Sequence, residues 1–305
     1  MAKPVSSPKS TPAKGKPSAP ARGGGRPAGL FTWVAVGLVV VIVAVIVVIK
    51  VTSNSASADS SAWQATSPTL ASEVTGVSPA VFNAVGVADS SSVTAPQALK
   101  HQPELTAKLA SGATVPEVLY IGAEYCPYCA AQRWSTIVAL SRFGTWKGLG
   151  NTTSSSSDVY KNTPTFTFAR ATFTSQYLVF RGVETLNNAY KKLETPTKTE
   201  QAILNKYDTP AYVTGMNPND VGAIPFISMG NQFLVSGASF DPALLTGLTR
   251  DQIAANLSAI SSPITQAIIT SANYQTAAIC TLTKQQPANV CASTGVMAAK
   301  KAMKL

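Results

Sequence analysis

The chain of 305 residues exceeds a typical single domain, and its 24 Lys/Arg against 14 Asp/Glu give a net charge of +10. Residues 1–50 hold seven Lys/Arg and no acid, which leaves 17 basic and 14 acidic residues beyond them. The basic balance is thus a property of a tail and makes no case for nucleic-acid binding by the folded part. With one histidine and four cysteines, the options for a metal site are few.

Residues 1–29 are rich in Pro, Ser, Ala, Gly and Lys, with too little apolar surface to offset the entropy of ordering. They read as a disordered basic tail. Residues 30–49, LFTWVAVGLVVVIVAVIVVI, run without a charge and end at Lys50. At about 1.5 Å per residue this stretch spans the roughly 30 Å hydrocarbon core of a bilayer. Six basic residues precede it (Lys3, Lys9, Lys14, Lys16, Arg22, Arg26) and only Lys50 closely follows. The positive-inside rule therefore keeps the N-terminus cytoplasmic, and the expectation is a single-pass cell-membrane protein with its main domain extracytoplasmic. A cleaved signal peptide is the competing reading, because Ala56-Ser57-Ala58 resembles a cleavage site, but the apolar stretch exceeds the roughly 7 to 15 residues usual there. Either way the cysteines face an oxidising compartment.

Residues 50–68 read as a flexible linker of small polar residues. The expected extracytoplasmic domain is 69–292, with 293–305 as a C-terminal tail. Ser78-Pro79 signals a helix start before Val81, Phe82 and Val85. VLYIG, residues 118–122, suits a buried strand, and after Cys129 the apolar residues Ala130, Trp134, Ile137, Val138 and Leu140 predict a helix that Gly144 stops. TFTFARATF (165–173) and QYLVF (176–180) read as strands, and Leu186, Tyr190 and Leu193 as a helix. Thr197 with Glu200 and Thr249 with Gln252 predict two capping boxes. Between them AIPFISMGNQFLVSG, residues 223–237, reads as a hairpin through Gly230-Asn231, and Ser262-Pro263 opens a last helix. The order of elements predicts a mixed α/β domain.

The segment GAEYCPYCAAQRW, residues 122–134, places Cys126 and Cys129 at a strand-to-helix junction with Pro127 at the first helical position. A dithiol works as a redox couple when one sulfur is a good nucleophile and the other can release the mixed disulfide. There Cys126 faces the free N–H groups and positive end of the helix, while Cys129, one turn in, can donate its S–H to it. A helix end contributes at most about 2 kcal/mol, whereas lowering a thiol from about 8.5 to about 6 requires roughly 3.4 kcal/mol. Hydrogen bonds must supply the remainder, since Pro127-Tyr128 brings no positive charge and Arg133 lies two turns along the helix. An inert clip and half a zinc site are the rival readings. A four-cysteine zinc site generally uses two close pairs, but ten residues separate Cys280 from Cys291, and His101 has no ligand-like neighbour. No metal site is expected. A structural disulfide closing the loop between Cys280 and Cys291 is the favoured pairing there, and a relay pair exchanging with Cys126 and Cys129 is the alternative. Trp134 is expected in the core and Tyr128 exposed beside the sulfurs.

The stretch Ala123 to Cys129 after the strand VLYI resembles the active site of the thioredoxin superfamily, with a Pro-Tyr dipeptide similar to that of glutaredoxins. Ile224-Pro225 ahead of FISM resembles that superfamily's cis-proline loop. Residues 66–292 also resemble an uncharacterised thioredoxin-like family, domain of unknown function family 929. The resemblance implies a thioredoxin-like α/β fold, to which the length between Cys129 and Pro225 adds an expected helical insertion around residues 183–210, and the apolar span 30–49 one transmembrane helix before it. It also implies that Tyr128, Ile224 and Pro225 line the substrate, with the Ile224 backbone free to pair with an extended chain. Two departures stand out. Tyr120 occupies the position six before the first cysteine where the superfamily often buries an acid, with Glu124 only a weak substitute, and the segment from Cys129 to Pro225 is longer than the minimal fold needs.

The expected function is a membrane-anchored thiol-disulfide oxidoreductase acting on cysteines of exported proteins, with Cys126 attacking and Cys129 resolving. It requires no bound cofactor, and a quinone-linked membrane protein is the expected redox partner if the enzyme is an oxidant. Oxidation, reduction and isomerisation all use this motif. The alternatives are a non-catalytic binding or chaperone module on the same fold, and capture of a soft ion such as Cu(I) by the dithiol.

Overall fold

In the computed structural model, residues 63–88 and 92–305 are described. The expected tail, the apolar span 30–49 and the linker as far as residue 62 lie outside the described residues. Among the described residues, no helix is long and apolar enough to cross a membrane.

Strand β1 (Gln64–Ala65), helices α1 (Pro68–Thr75) and α2 (Pro79–Val85), and strands β2 (Gln97–Ala98), β3 (Thr106–Lys108) and β4 (Thr114–Gly122) come first. Helix α3 (Pro127–Leu140) leads to β5 (Gly144–Lys147), β6 (Gly150–Thr153), β7 (Pro164–Thr167), β8 (Thr172–Ser175) and β9 (Val179–Glu184). Helix α4 (Lys198–Tyr207) precedes the hairpin β10 (Phe226–Met229) and β11 (Phe233–Ser236). Helices α5 (Arg250–Asn256), α6 (Pro263–Leu282), α7 (Ala288–Cys291) and α8 (Thr294–Met303) follow. The result is a mixed α/β arrangement with three sheets among the described residues.

The six-stranded sheet organises the rest. Its β4 pairs in parallel with β9, from Glu117↔Val179 to Gly122↔Glu184, and antiparallel with β10, from Phe226↔Ile121 to Met229↔Val118. Val118, Leu119, Tyr120 and Ile121 are all buried, because the strand is covered on both faces, and so it reads as a continuous apolar run. Val118 and Tyr120 belong to one cluster with Trp134 of α3 and Ile268 of α6, while Leu119 and Ile121 join Leu204 and Tyr207 of α4 in another. The period of two along β4 thus sends alternate residues to different helical layers.

Local signals position the flanking elements. Both capping boxes form, Thr197 with Glu200 and Thr249 with Gln252. The three-residue connection between the paired Met229 and Phe233 places Gly230 at φ 61° and Asn231 at φ 54°, left-handed values that Gly and Asn adopt most readily. Cys280 and Cys291 form a disulfide with Cα atoms 5.6 Å apart, joining the end of α6 to α7.

Four expectations are corrected. Leu186, Tyr190 and Leu193 do not lie on a helix: Leu186 bridges to Lys192, and the Asn187 side-chain oxygen accepts the N–H groups of Ala189 and Lys191. A side-chain acceptor there outcompetes the helical bonds. The expected helical insertion over 183–210 therefore contains a single helix, α4. Residues 293–305 are not a tail, because α8 buries Val296 and Ala299. The folded part also begins before residue 69, since β1 pairs with β6 and Ser67 caps α1 by accepting the Leu70 N–H.

Candidate active site

Strand β4 delivers the chain to Ala123, and Cys126 then stands as N-cap of α3 with extended backbone, φ −76° and ψ 121°. Its Sγ takes the role that a Ser or Asp oxygen plays at other helix starts, accepting the Cys129 backbone N–H at 3.2 Å. In its thiol form Cys126 donates to the carbonyl of Ile224 at 3.6 Å. The Ile224–Pro225 peptide is cis. Cys126 is 5% exposed and Cys129 is fully buried, and neither is in a disulfide. The hairpin thus brings Ile224 and Pro225 to the dithiol, and Tyr128 projects beside it at 42% exposure.

The two thiols are electrostatically unequal. The S–H of Cys129 bonded to Cys126 holds the Cys126 thiol below its ordinary value against the opposing effect of burial, with further help from the Cys129 N–H and Arg133. Burial pushes the Cys129 thiol well up, and the hydrogen bond it donates to Cys126 adds to that. One sulfur is therefore prepared as a thiolate and the other held as a thiol.

Arg133 favours the thiolate form of both sulfurs despite its place along the helix. It is fully buried, donating from Nε to Glu184 Oε1 at 2.8 Å, and from Nη2 to Glu184 Oε2 at 2.6 Å and to the Ala123 carbonyl at 2.7 Å. The sequence reading set it aside as remote. Its signal was the spacing of four from Cys129, which stacks side chains one turn apart on one face. Its partner Glu184 lies at the end of β9, beside Gly122 in the parallel register. Burial pushes the Glu184 carboxyl upward and Arg133 opposes the shift.

Tyr120 is also fully buried, its ring 5.0 Å from that of Phe168, and its hydroxyl has no hydrogen-bond partner. Gly122 makes room for it, since a Cβ there would lie 2.2 Å from the Tyr120 hydroxyl. Glu124 is nearly buried and accepts from the Thr152 hydroxyl at 3.3 Å. Around the opening, Tyr125 stacks on Tyr190 at 4.5 Å, and Tyr128 meets Tyr160 edge-on at 5.9 Å. Cys280 and Cys291, by contrast, are joined to each other on α6 and α7. Among the described residues, no group of three or more His, Cys, Asp or Glu is arranged to hold a metal ion.

No curated protein and no solved structure matches the sequence. A family model described as Domain of unknown function (DUF929) matches residues 105–281, more than half of the chain. The matched region runs from β3 into the last turn of α6 and includes Cys126, Cys129, Ile224 and Pro225. The chain accordingly belongs to the DUF929 family, a domain of unknown function.

Proposed function

We propose that the chain is a thiol-disulfide oxidoreductase of thioredoxin-like type, anchored by residues 30–49 and acting outside the cell membrane on cysteines of exported proteins. The observation that carries the reading is the unequal dithiol: Cys126 Sγ at the helix N-terminus, accepting the Cys129 N–H at 3.2 Å beside the Ile224 carbonyl. In the reducing direction the Cys126 thiolate attacks a client disulfide, forming a Cys126–client bond and releasing the other client sulfur as a thiolate. Cys129 then loses its proton and attacks Cys126 Sγ. The client leaves with two electrons, and a Cys126–Cys129 disulfide remains. Run in reverse, the same steps oxidise a client dithiol. Exposed Tyr128 and half-buried Ile224, with the buried Pro225 next to it, form the site a client meets, and a membrane redox partner, quinone-linked in the oxidising direction, returns the dithiol to its working state.

The test is trapping. A Cys129→Ala chain should accumulate mixed disulfides between Cys126 and exported proteins, because nothing remains to resolve them. A Cys126→Ala chain should trap none. Absence of trapped clients in Cys129→Ala, together with tight Cu(I) binding by the reduced wild-type dithiol, would replace this reading with metal capture.

A further inference from the structure

Resolution of a mixed disulfide puts a negative charge on Cys129, which is fully buried. A buried anion is strongly disfavoured unless a cation or hydrogen-bond donor meets it. The position six before Cys126 holds Tyr120, so no carboxylate stands there to accept the proton. What the site does hold is spare donor capacity. Arg133 follows Cys129 by four residues on α3, and while its Nε and Nη2 are bonded to Glu184 and Ala123, its buried Nη1 has no partner. A guanidinium carries five N–H donors, two of them on Nη1. Buried donors without partners are uncommon in native proteins and call for an explanation.

We propose that Arg133 is a positioning residue for the resolving step, its guanidinium held by Glu184 one turn below Cys129 so that its free donors offset the charge developing on that thiol. The inference rests on the oxidoreductase reading of the dithiol. In the step, the Cys129–Cys126 sulfur bond forms and the Cys126–client bond breaks. The departing client thiolate takes up the proton that Cys129 gives up, so no separate base or oxidant is consumed. The charged and titratable groups that face Cys129 are Cys126 and Arg133 on its own helix, Tyr120 on β4 and Tyr125 just before the helix, with Glu184 on β9 acting through Arg133. Consistent with this, Arg133 counters part of the effect of burial on Cys129.

The experiment compares full-length Arg133→Met and Glu184→Gln chains in detergent. Thiol titration is read by ultraviolet thiolate absorbance, and resolution by release of a peptide thiol from a preformed Cys126 mixed disulfide. Arg133→Met should raise the titration midpoint by about one unit and slow resolution about tenfold. Glu184→Gln, which leaves the guanidinium uncompensated, should move the midpoint down. A merely structural ion pair predicts the same response in both variants, so midpoints that shift together, or not at all, overturn the proposal. Should either single variant fail to fold, the paired Arg133→Met/Glu184→Leu chain leaves no lone buried charge. It should still resolve about tenfold more slowly, and wild-type resolution would overturn the proposal. A wild-type protein that forms no mixed disulfide at all instead overturns the oxidoreductase reading itself.

Discussion

Cys126 Sγ lies 3.6 Å from the carbonyl oxygen of Ile224, a residue 98 positions away in the chain. The β10–β4 pairing makes that contact, and one turn into the helix Cys129 stays behind it, fully buried. Limited labelling of the reduced protein with iodoacetamide should therefore place one adduct per chain, on Cys126. Peptide mapping reads the site, and labelling of Cys129 first would contradict this arrangement. The labelling rate should rise with pH through a midpoint below the ordinary thiol value. Linkage gives the two thiols opposite effects on stability. The Cys126 contribution is present above the ordinary thiol value and is lost as pH falls through the lower folded value. The Cys129 contribution is full below the ordinary thiol value and is lost as pH rises through the higher folded value.

The Cys280–Cys291 bond spans a sequence separation of 11, and closing so short a loop stabilises by about 3 kcal/mol on the chain-entropy account. Replacing both cysteines with serine should lower the denaturant midpoint while leaving thiol exchange per folded molecule unchanged. Loss of exchange at unchanged stability would instead mark this pair as a relay.

Gly122 provides a test of how the site is packed. Gly122→Ala would push a methyl group to within 2.2 Å of the Tyr120 hydroxyl and 2.6 Å of its Cζ. Overpacking of this kind should destabilise the protein by about 1–3 kcal/mol, read by urea denaturation. A wild-type midpoint would mean that Tyr120 does not lie along the strand.

The charge-free span at 30–49, with its basic residues on the N-terminal side, makes a topological prediction. An impermeant protease applied to intact cells should cleave after residue 50, with the full-length chain retained in membranes beforehand. A mature protein starting near Asp59 in the medium would identify the span as a signal peptide.

What the sequence made legible was local. Thr197 and Glu200 make a capping box with each other whatever surrounds them, and Ser78-Pro79 starts a helix for the same reason. The paired thiols were readable because three residues of spacing and a helix start determine their geometry. Leu186, Tyr190 and Leu193 misled, because helical spacing does not register the Asn187 side chain that captures the backbone between them. Arg133 was read as remote because it lies two turns along the helix, and its partner Glu184, 51 positions away, is brought close only by β9 pairing with β4. The last helix, α8, was missed for a different reason. Its buried residues are as small as Gly295 and Ala299, and Lys300, Lys301 and Lys304 interrupt the apolar stripe, leaving Val296 as its one strong signal.

The closed Cys280–Cys291 bond also sets an accounting limit. With that pair already oxidised and joined internally, the chain retains a single two-electron couple at Cys126 and Cys129. On the proposed oxidoreductase reading such a molecule would have no internal reserve: one client event would discharge it completely, and the next would wait for recharging. Its throughput as an oxidoreductase would then follow the supply of electrons or oxidising equivalents across the membrane, and raising its own abundance would increase flux only while that supply runs in excess.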